Sequence, residues 1–257
     1  MLSSLFDTWQ TLPLFFALGA TIGFVGAMVG IGGGLIAIPV LGLVFGMTQQ
    51  LAQGTALVMI VGNVIVSIYS YNKRASIDFK KVALVVVLNM IATYFAALLA
   101  QLMDSDLLRN LFAVFLALVA TFYIWQSSGK KAKLQREERP LTLAAYTFLG
   151  LSSGFIGGLF GVGGSLIVVP ILTVYFGIRQ TTAQGIALAM IFPGLVVALF
   201  TYSYGGNVDW WIGAVMALGG LLSVKYGVML AYRLPEVLLK RIFAGVLYAT
   251  VLLILLR

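Results

Sequence analysis

The sequence predicts an all-α integral membrane protein. It is expected to hold two inverted repeats of about five membrane segments each, with one short, broken or half-length helix per repeat. Three observations carry this expectation. Of 257 residues, 61% are hydrophobic and 9% charged, whereas a soluble domain carries about 25% charged residues. The mean hydropathy is +1.06. A block of 38 residues also recurs later in the chain at half identity.

A bilayer-spanning helix needs about 20 apolar residues. The first such stretch covers 12–30. The preceding MLSSLFDTWQ holds no Lys or Arg, so it lacks the positive start of a signal peptide, and the first span is expected to be retained. A glycine cluster follows, then a short apolar segment at 35–46. Long stretches return at 52–72, 81–103 and 107–126. The polar segment SSGKKAKLQREERP ends at Pro140. Long spans then fall at 141–160, 183–204, 209–232 and 237–256, with a second short one at 166–177. The organisation read from this is a membrane repeat over 1–126, a basic linker over 127–140 and a second repeat over 141–257.

Residues 23–60 align with 154–191 without a gap, and 20 of 38 positions are identical. Apolar composition alone would match Leu with Val at random. It would not align Gly30, Gly32, Gly33, Pro39, Gln53 and Gly54 with Gly161, Gly163, Gly164, Pro170, Gln184 and Gly185. The block is a duplication.

The charges set the expected orientation. The chain has 16 Lys+Arg, 8 Asp+Glu and a net charge of +8. Twelve of the sixteen cations fall in three places: Lys73, Arg74, Lys80 and Lys81; Lys130, Lys131, Lys133, Arg136 and Arg139; Arg233, Lys240 and Arg241. Short cytoplasmic loops collect Lys and Arg. With five crossings per half these clusters share one side with Arg179, and the loops near 47–51, 104–108 and 205–209 share the other. Four crossings per half would scatter them. Ten crossings follow, with the halves inverted, the linker cytoplasmic and both termini outside.

Each repeat carries Gly-x-Gly-Gly before its short segment. A segment of ~12 residues reaches ~18 Å at 1.5 Å per residue, short of the ~30 Å hydrocarbon core. It must begin inside the membrane, where irregular backbone survives only in a protein-lined place. Bare glycine amides, the unpaired first-turn N–H groups and the helix dipole together suit an anion. Two such cups entering from opposite faces is the layout of a secondary transporter. The candidate substrate-binding residues are therefore Gly32, Gly33 and Gly34 with Gly163, Gly164 and Ser165. Pro39 and Pro170 each free one carbonyl, a candidate hinge. Close helix packing is the competing role for these glycines, and the expected one for Gly19, Gly23 and Gly154.

Gln53 and Gln184 lie at equivalent places. Each amide can donate two hydrogen bonds to an oxyanion; a capping or interhelical role competes equally. Lys225 is the one basic residue clearly inside a span, as a counter-charge or as a side chain snorkelling to the interface. Asp78 and Asp209 are equivalent, and helix capping is their expected role.

Composition excludes other chemistry. There is no Cys and no His, hence no disulfide framework, thiolate nucleophile, usual zinc site or Ser–His pair. No carboxylate lies deep in a span. The expectation is no enzyme, no cofactor and no metal. The expected partners are the lipid bilayer and a small anionic substrate, not nucleic acid; a homo-oligomer stays open, as does an assembly role without transport.

The duplicated GIGGGLIAIP and GVGGSLIVVP, the repeated AQG-x-AL at Ala52–Leu57 and Ala183–Leu188, the length and the basic linker resemble the TauE/SafE family. The resemblance covers essentially the whole chain. It implies export of sulfite or an organosulfonate such as sulfoacetate across a bacterial inner membrane, by alternating access. An anion channel, or an uptake carrier for another small oxyanion or carboxylate, would use the same glycine site. Ser165 stands where the first repeat has Gly34, which makes the two cups unequal.

Overall fold

The computed structural model describes residues 11–73, 79–128 and 142–255. Among them every regular element is an α-helix: α1 (Leu12–Val29), α2 (Gly34–Leu43), α3 (Gln49–Asn72), α4 (Phe79–Leu102), α5 (Ser105–Ser128), α6 (Leu143–Phe160), α7 (Ser165–Val174), α8 (Gln180–Tyr204), α9 (Trp210–Arg233) and α10 (Glu236–Leu255). Eight are long and apolar enough to cross a membrane; α2 and α7 have 10 residues each, or ~15 Å. Arg74, Asp78 and most of the basic linker lie outside the described residues.

The repeat runs much further than the 38-residue block. The helices of the first half begin at 12, 34, 49, 79 and 105, and those of the second at 143, 165, 180, 210 and 236. Each pair is displaced by the same 131 residues. Turns match as well. Gly46 (φ 69°) and Gly177 (φ 71°) take the left-handed conformation that a side chain disfavours. The next amide then donates back to the helix, Met47 N–H to Leu41 O at 3.2 Å and Ile178 N–H to Leu172 O at 3.1 Å. Polar side chains fix helix starts: Thr48, Thr142 and Asp209 each accept from an amide three residues on. Asp209 thus takes the capping role expected of it.

The halves interlock. α1 packs chiefly on α9, and its counterpart α6 chiefly on α4. These seams are closed by glycine. A Cβ on Gly19 would strike the Met216 carbonyl, and one on Gly219 the Phe16 carbonyl. On the other seam Gly154 meets the Asn89 carbonyl and Gly158 that of Thr93. Only small residues let helix backbones approach this far, so Gly19, Gly23 and Gly154 have the packing role expected of them. α3 and α8 lie antiparallel. Gln53 near the start of α3 meets Tyr202 near the end of α8, and Tyr71 near the end of α3 meets Gln184 near the start of α8.

The turns sort onto two ends of the bundle. At one end Gln49 N–H donates to Ser105 Oγ (2.8 Å), Gln50 Nε2 to Met103 O (2.8 Å) and Asp209 N–H to Thr55 Oγ1 (2.9 Å). These bonds gather the turns before α3, α5 and α9. This end is poor in cations; Arg109 there is held by Asp106 at 2.6 Å. At the other end Gln180 N–H donates to Glu236 Oε1 at 3.3 Å. Lys73, Arg179 and Arg233 sit at helix ends on this side. Large apolar side chains such as Leu118, Phe200, Trp211 and Leu222 are exposed on the outside, as a lipid-facing surface requires.

Candidate functional site: two glycine loops at mid-depth

After α1 the chain turns at Gly30 (φ 81°) and passes through Gly32 (φ 72°) and Gly33 (φ 98°) into α2. After α6 it turns at Gly161 (φ 66°) and Gly163 (φ 70°) into α7. Here Gly164 has φ −75°, so the loops differ in backbone. The first bonds into each short helix run from Ile36 and Ala37 to Gly33 O, and from Ile167 and Val168 to Gly164 O. The amides ahead of these belong to the unpaired first turn.

The loops lie at mid-depth. Cβ atoms on Gly32 and Gly34 would meet Ile60, and one on Gly33 would meet Met59. Both residues stand halfway along α3. In the second loop Gly163 faces Ile191 and Leu195, halfway along α8. At the far end of α2, Phe45 packs against Phe15 with ring centroids 4.7 Å apart. So α2 runs from mid-depth back to the end where α1 starts and is a half-length helix. The two loops touch: the Cβ position of Gly34 lies 3.3 Å from Val162 Cα. Two positive helix ends therefore converge on one central region.

The two glutamines sit behind the loops and cross between halves. Gln184 Nε2 donates to Val29 O at 2.7 Å, at the unpaired end of α1. Its Oε1 accepts from Tyr71 Oη at 2.9 Å, and Tyr71 also reaches Ala27 O at 3.0 Å. In the counterpart, Tyr202 Oη donates to Gln53 Oε1 at 2.7 Å and lies 3.1 Å from Gly158 O. The side chains fill the space beside Gly30 and Gly161, where a Cβ would strike Gln184 or Gln53. Gln184 thus has both amide atoms on protein partners, while Gln53 Nε2 is buried with none.

The surroundings of the loops are unequal. The first is lined by Ile22, Met59, Ile60 and Val64. The second borders a narrow crevice with Asn89, Thr93 and Ser153 as its polar lining, Ile191 and Leu195 as its apolar lining, and Gly157, Gly163, Gly164 and Gly194 between them. Asn89 Nδ2 donates to Ser153 Oγ at 2.8 Å, and Thr93 Oγ1 to Gly154 O at 3.1 Å. Asn89 Oδ1 and Ser165 Oγ are buried without a partner.

The structure thus brings together Gly32, Gly33, Gly34, Gly163, Gly164 and Ser165, and sets Gln53 and Gln184 behind them. Lys225 is not brought there. It is exposed on α9 beside exposed Leu222 and Tyr226. Pro39 and Pro170 are buried inside α2 and α7, leaving the carbonyls of Leu35 and Leu166 without the usual helical partner. Sequence reasoning missed Tyr71 and Tyr202, although they obey the same 131-residue displacement. It also missed Asn89, Thr93 and Ser153. Their counterparts are Gly220, Val224 and Ile22, so a search for repeated residues passes over them.

Comparison with known proteins follows the same lines. Similar chains include a probable membrane transporter protein of Methanocaldococcus jannaschii, 27% identical over 94% of both chains. One from Xylella fastidiosa is 24% identical over 97% of both. One from Haemophilus influenzae is 28% identical over 84% of this chain and 83% of its own. No solved structure matches. Residues 15–254 match the family described as Sulfite exporter TauE/SafE. The chain is a multi-pass membrane transporter, not an enzyme, and belongs to the TauE/SafE family.

Proposed function

We propose that this chain is a secondary carrier of a small anion, sulfite or an organosulfonate such as sulfoacetate, exported by alternating access across the cell membrane of a bacterium. The observation that carries the reading is the convergence of two half-length helices at mid-depth, with Gly34 of one loop beside Val162 of the other. Bare amides and two helix dipoles favour negative charge there. The family's description supports the sulfur oxyanion. The halves act as inverted copies; the antiparallel setting of α3 and α8 supports this. The cation-rich end faces the cytoplasm and both termini face outside. Substrate lies against Gly32–Gly34 and Gly163–Ser165, and Pro39 and Pro170 let the short helices flex as one half rocks on the other.

The test is flux in proteoliposomes. Purified protein should move sulfite or sulfoacetate down an imposed gradient, with saturation. Protein that moves neither, nor any other small oxyanion or carboxylate, would refute the proposal.

A further inference from the structure

We infer that the carrier has one oxyanion site rather than two equal ones. It is built on the second glycine loop by Asn89 and Thr93 of α4, Ser153 of α6 and Ser165 of α7. The inference rests on the anion-carrier reading above and goes beyond it in naming side chains and choosing between the loops.

The repeat makes the comparison position by position. At the displacement of 131 residues, Thr93, Ser153 and Ser165 have Val224, Ile22 and Gly34 as their counterparts around the first loop. Three hydroxyls surround one loop, and their counterparts offer none. Around the first loop, Ile22 Cγ2 lies 2.9 Å from the Cβ position of Gly33, and Ile60 and Val64 each lie 2.9 Å from that of Gly32. Ile191 and Leu195 stand against Gly163 in the same way, so the loops differ at Ile22, whose place beside the second loop is taken by Ser153; burying charge against an apolar wall is costly.

The first half has polar groups of its own, Asn63 and Ser67, buried without partners. Asn63 faces Gly220 of α9 across the seam. Asn89 faces Gly194 in the same manner, so each seam holds one such amide, and the hydroxyls of Thr93, Ser153 and Ser165 are what set the second loop apart.

At the second loop Asn89, Thr93 and Ser153 line the crevice beside Gly163 and Gly164, and Ser165 follows on the same turn of chain. Ser165 is the first residue of α7, 0% exposed, with its hydroxyl unpartnered. Asn89 is 1% exposed, and its Oδ1 points at Gly194, where a Cβ would collide with it. A buried carbonyl oxygen with no donor is expensive. Rotating the amide exchanges oxygen and nitrogen at no steric cost. Ser153 then turns its hydroxyl from Gly150 O, 3.3 Å away, to Oδ1, and Nδ2 turns toward Gly194 and the crevice. The site so formed offers the Asn89 amide and the first-turn amides of α7, with the Ser165 hydroxyl on that same turn; the Thr93 hydroxyl joins them by releasing Gly154 O. All of them are neutral donors.

This donor set suits the three oxygens of an SO3 group, free as sulfite or as the head of a sulfonate. The crevice is narrow, so substrate entry requires α4 and the α6–α7 loop to part. Pro193, one residue before Gly194, breaks the hydrogen-bond ladder of α8 at this wall.

The experiment pairs transport with binding on the full chain. Thr93→Val and Ser165→Gly give the second loop the residues of the first. Each should raise KM for sulfite about tenfold or more, with turnover changed less. Thr93→Ser should restore KM, and Val224→Ala, at the counterpart of Thr93, should leave it within about twofold. Sodium sulfite titrated calorimetrically into detergent-purified protein should show one site, weakened by the same two substitutions. Equal losses from Val224→Ala, or unchanged KM and binding in Thr93→Val and Ser165→Gly, would overturn the inference while leaving the carrier reading intact. Binding without flux would sink the carrier reading and leave the site standing. Absence of both would sink both.

Discussion

Tyr71 and Tyr202 each tie a glutamine of the opposite half to the carbonyl end of a helix in their own half. These bonds are buried, and leaving a buried acceptor bare costs about 1–3 kcal/mol. Tyr71→Phe and Tyr202→Phe should therefore lower the thermal midpoint in detergent by several degrees, with the fold retained. Unchanged midpoints would mean that the crossed bonds contribute nothing. Gly30→Ala should be worse than either, because it combines a left-handed backbone with a collision on Gln184. At this scale the sequence was only partly legible. The Gly-x-Gly-Gly residues announced themselves by spacing. For Lys225 the place along α9 is visible in the sequence while the face it occupies, away from the glycine loops, is not. Asn89, Thr93 and Ser153 were hidden because they break the repeat instead of obeying it.

The helices were the most legible part. Each of the ten begins and ends within three residues of the apolar stretch that announced it. Length and hydropathy decide a span, and glycine or a capping hydroxyl decides its ends. What the stretches could not give was partnership. α1 seats on α9 and α6 on α4 through glycines from both halves, a match set by three-dimensional approach. Gly154→Leu should abolish assembly, measured as loss of a monodisperse peak in detergent, because Asn89 and Ala92 occupy that space. Gly245→Leu on α10 should be tolerated, since nothing lies within 4 Å. Equal outcomes at the two positions would contradict the seam. Pro170→Ala restores a helical donor in α7. It should slow turnover several-fold with KM little changed if flexing of this helix limits transport; unchanged turnover would remove the hinge role.

For the whole molecule, the excess of cations is an address. The cation-poor turns before α3, α5 and α9 share one end through direct hydrogen bonds. The proposed orientation is open to direct labelling, because the chain has no Cys. Tyr204→Cys, at an exposed residue of the cation-poor end, should react with an impermeant maleimide in intact cells. Lys130→Cys in the linker should react only after lysis. The reverse pattern would invert the orientation.

The central claim is that converging glycine loops carry a small sulfur oxyanion through the membrane. Counterflow of radiolabelled sulfite in proteoliposomes tests it most directly. Vesicles preloaded with unlabelled sulfite should transiently accumulate label above equilibrium, and Ser165→Gly should demand more sulfite for the same rate. Label that enters no faster than into protein-free vesicles, with sulfite and with sulfoacetate alike, would contradict the account.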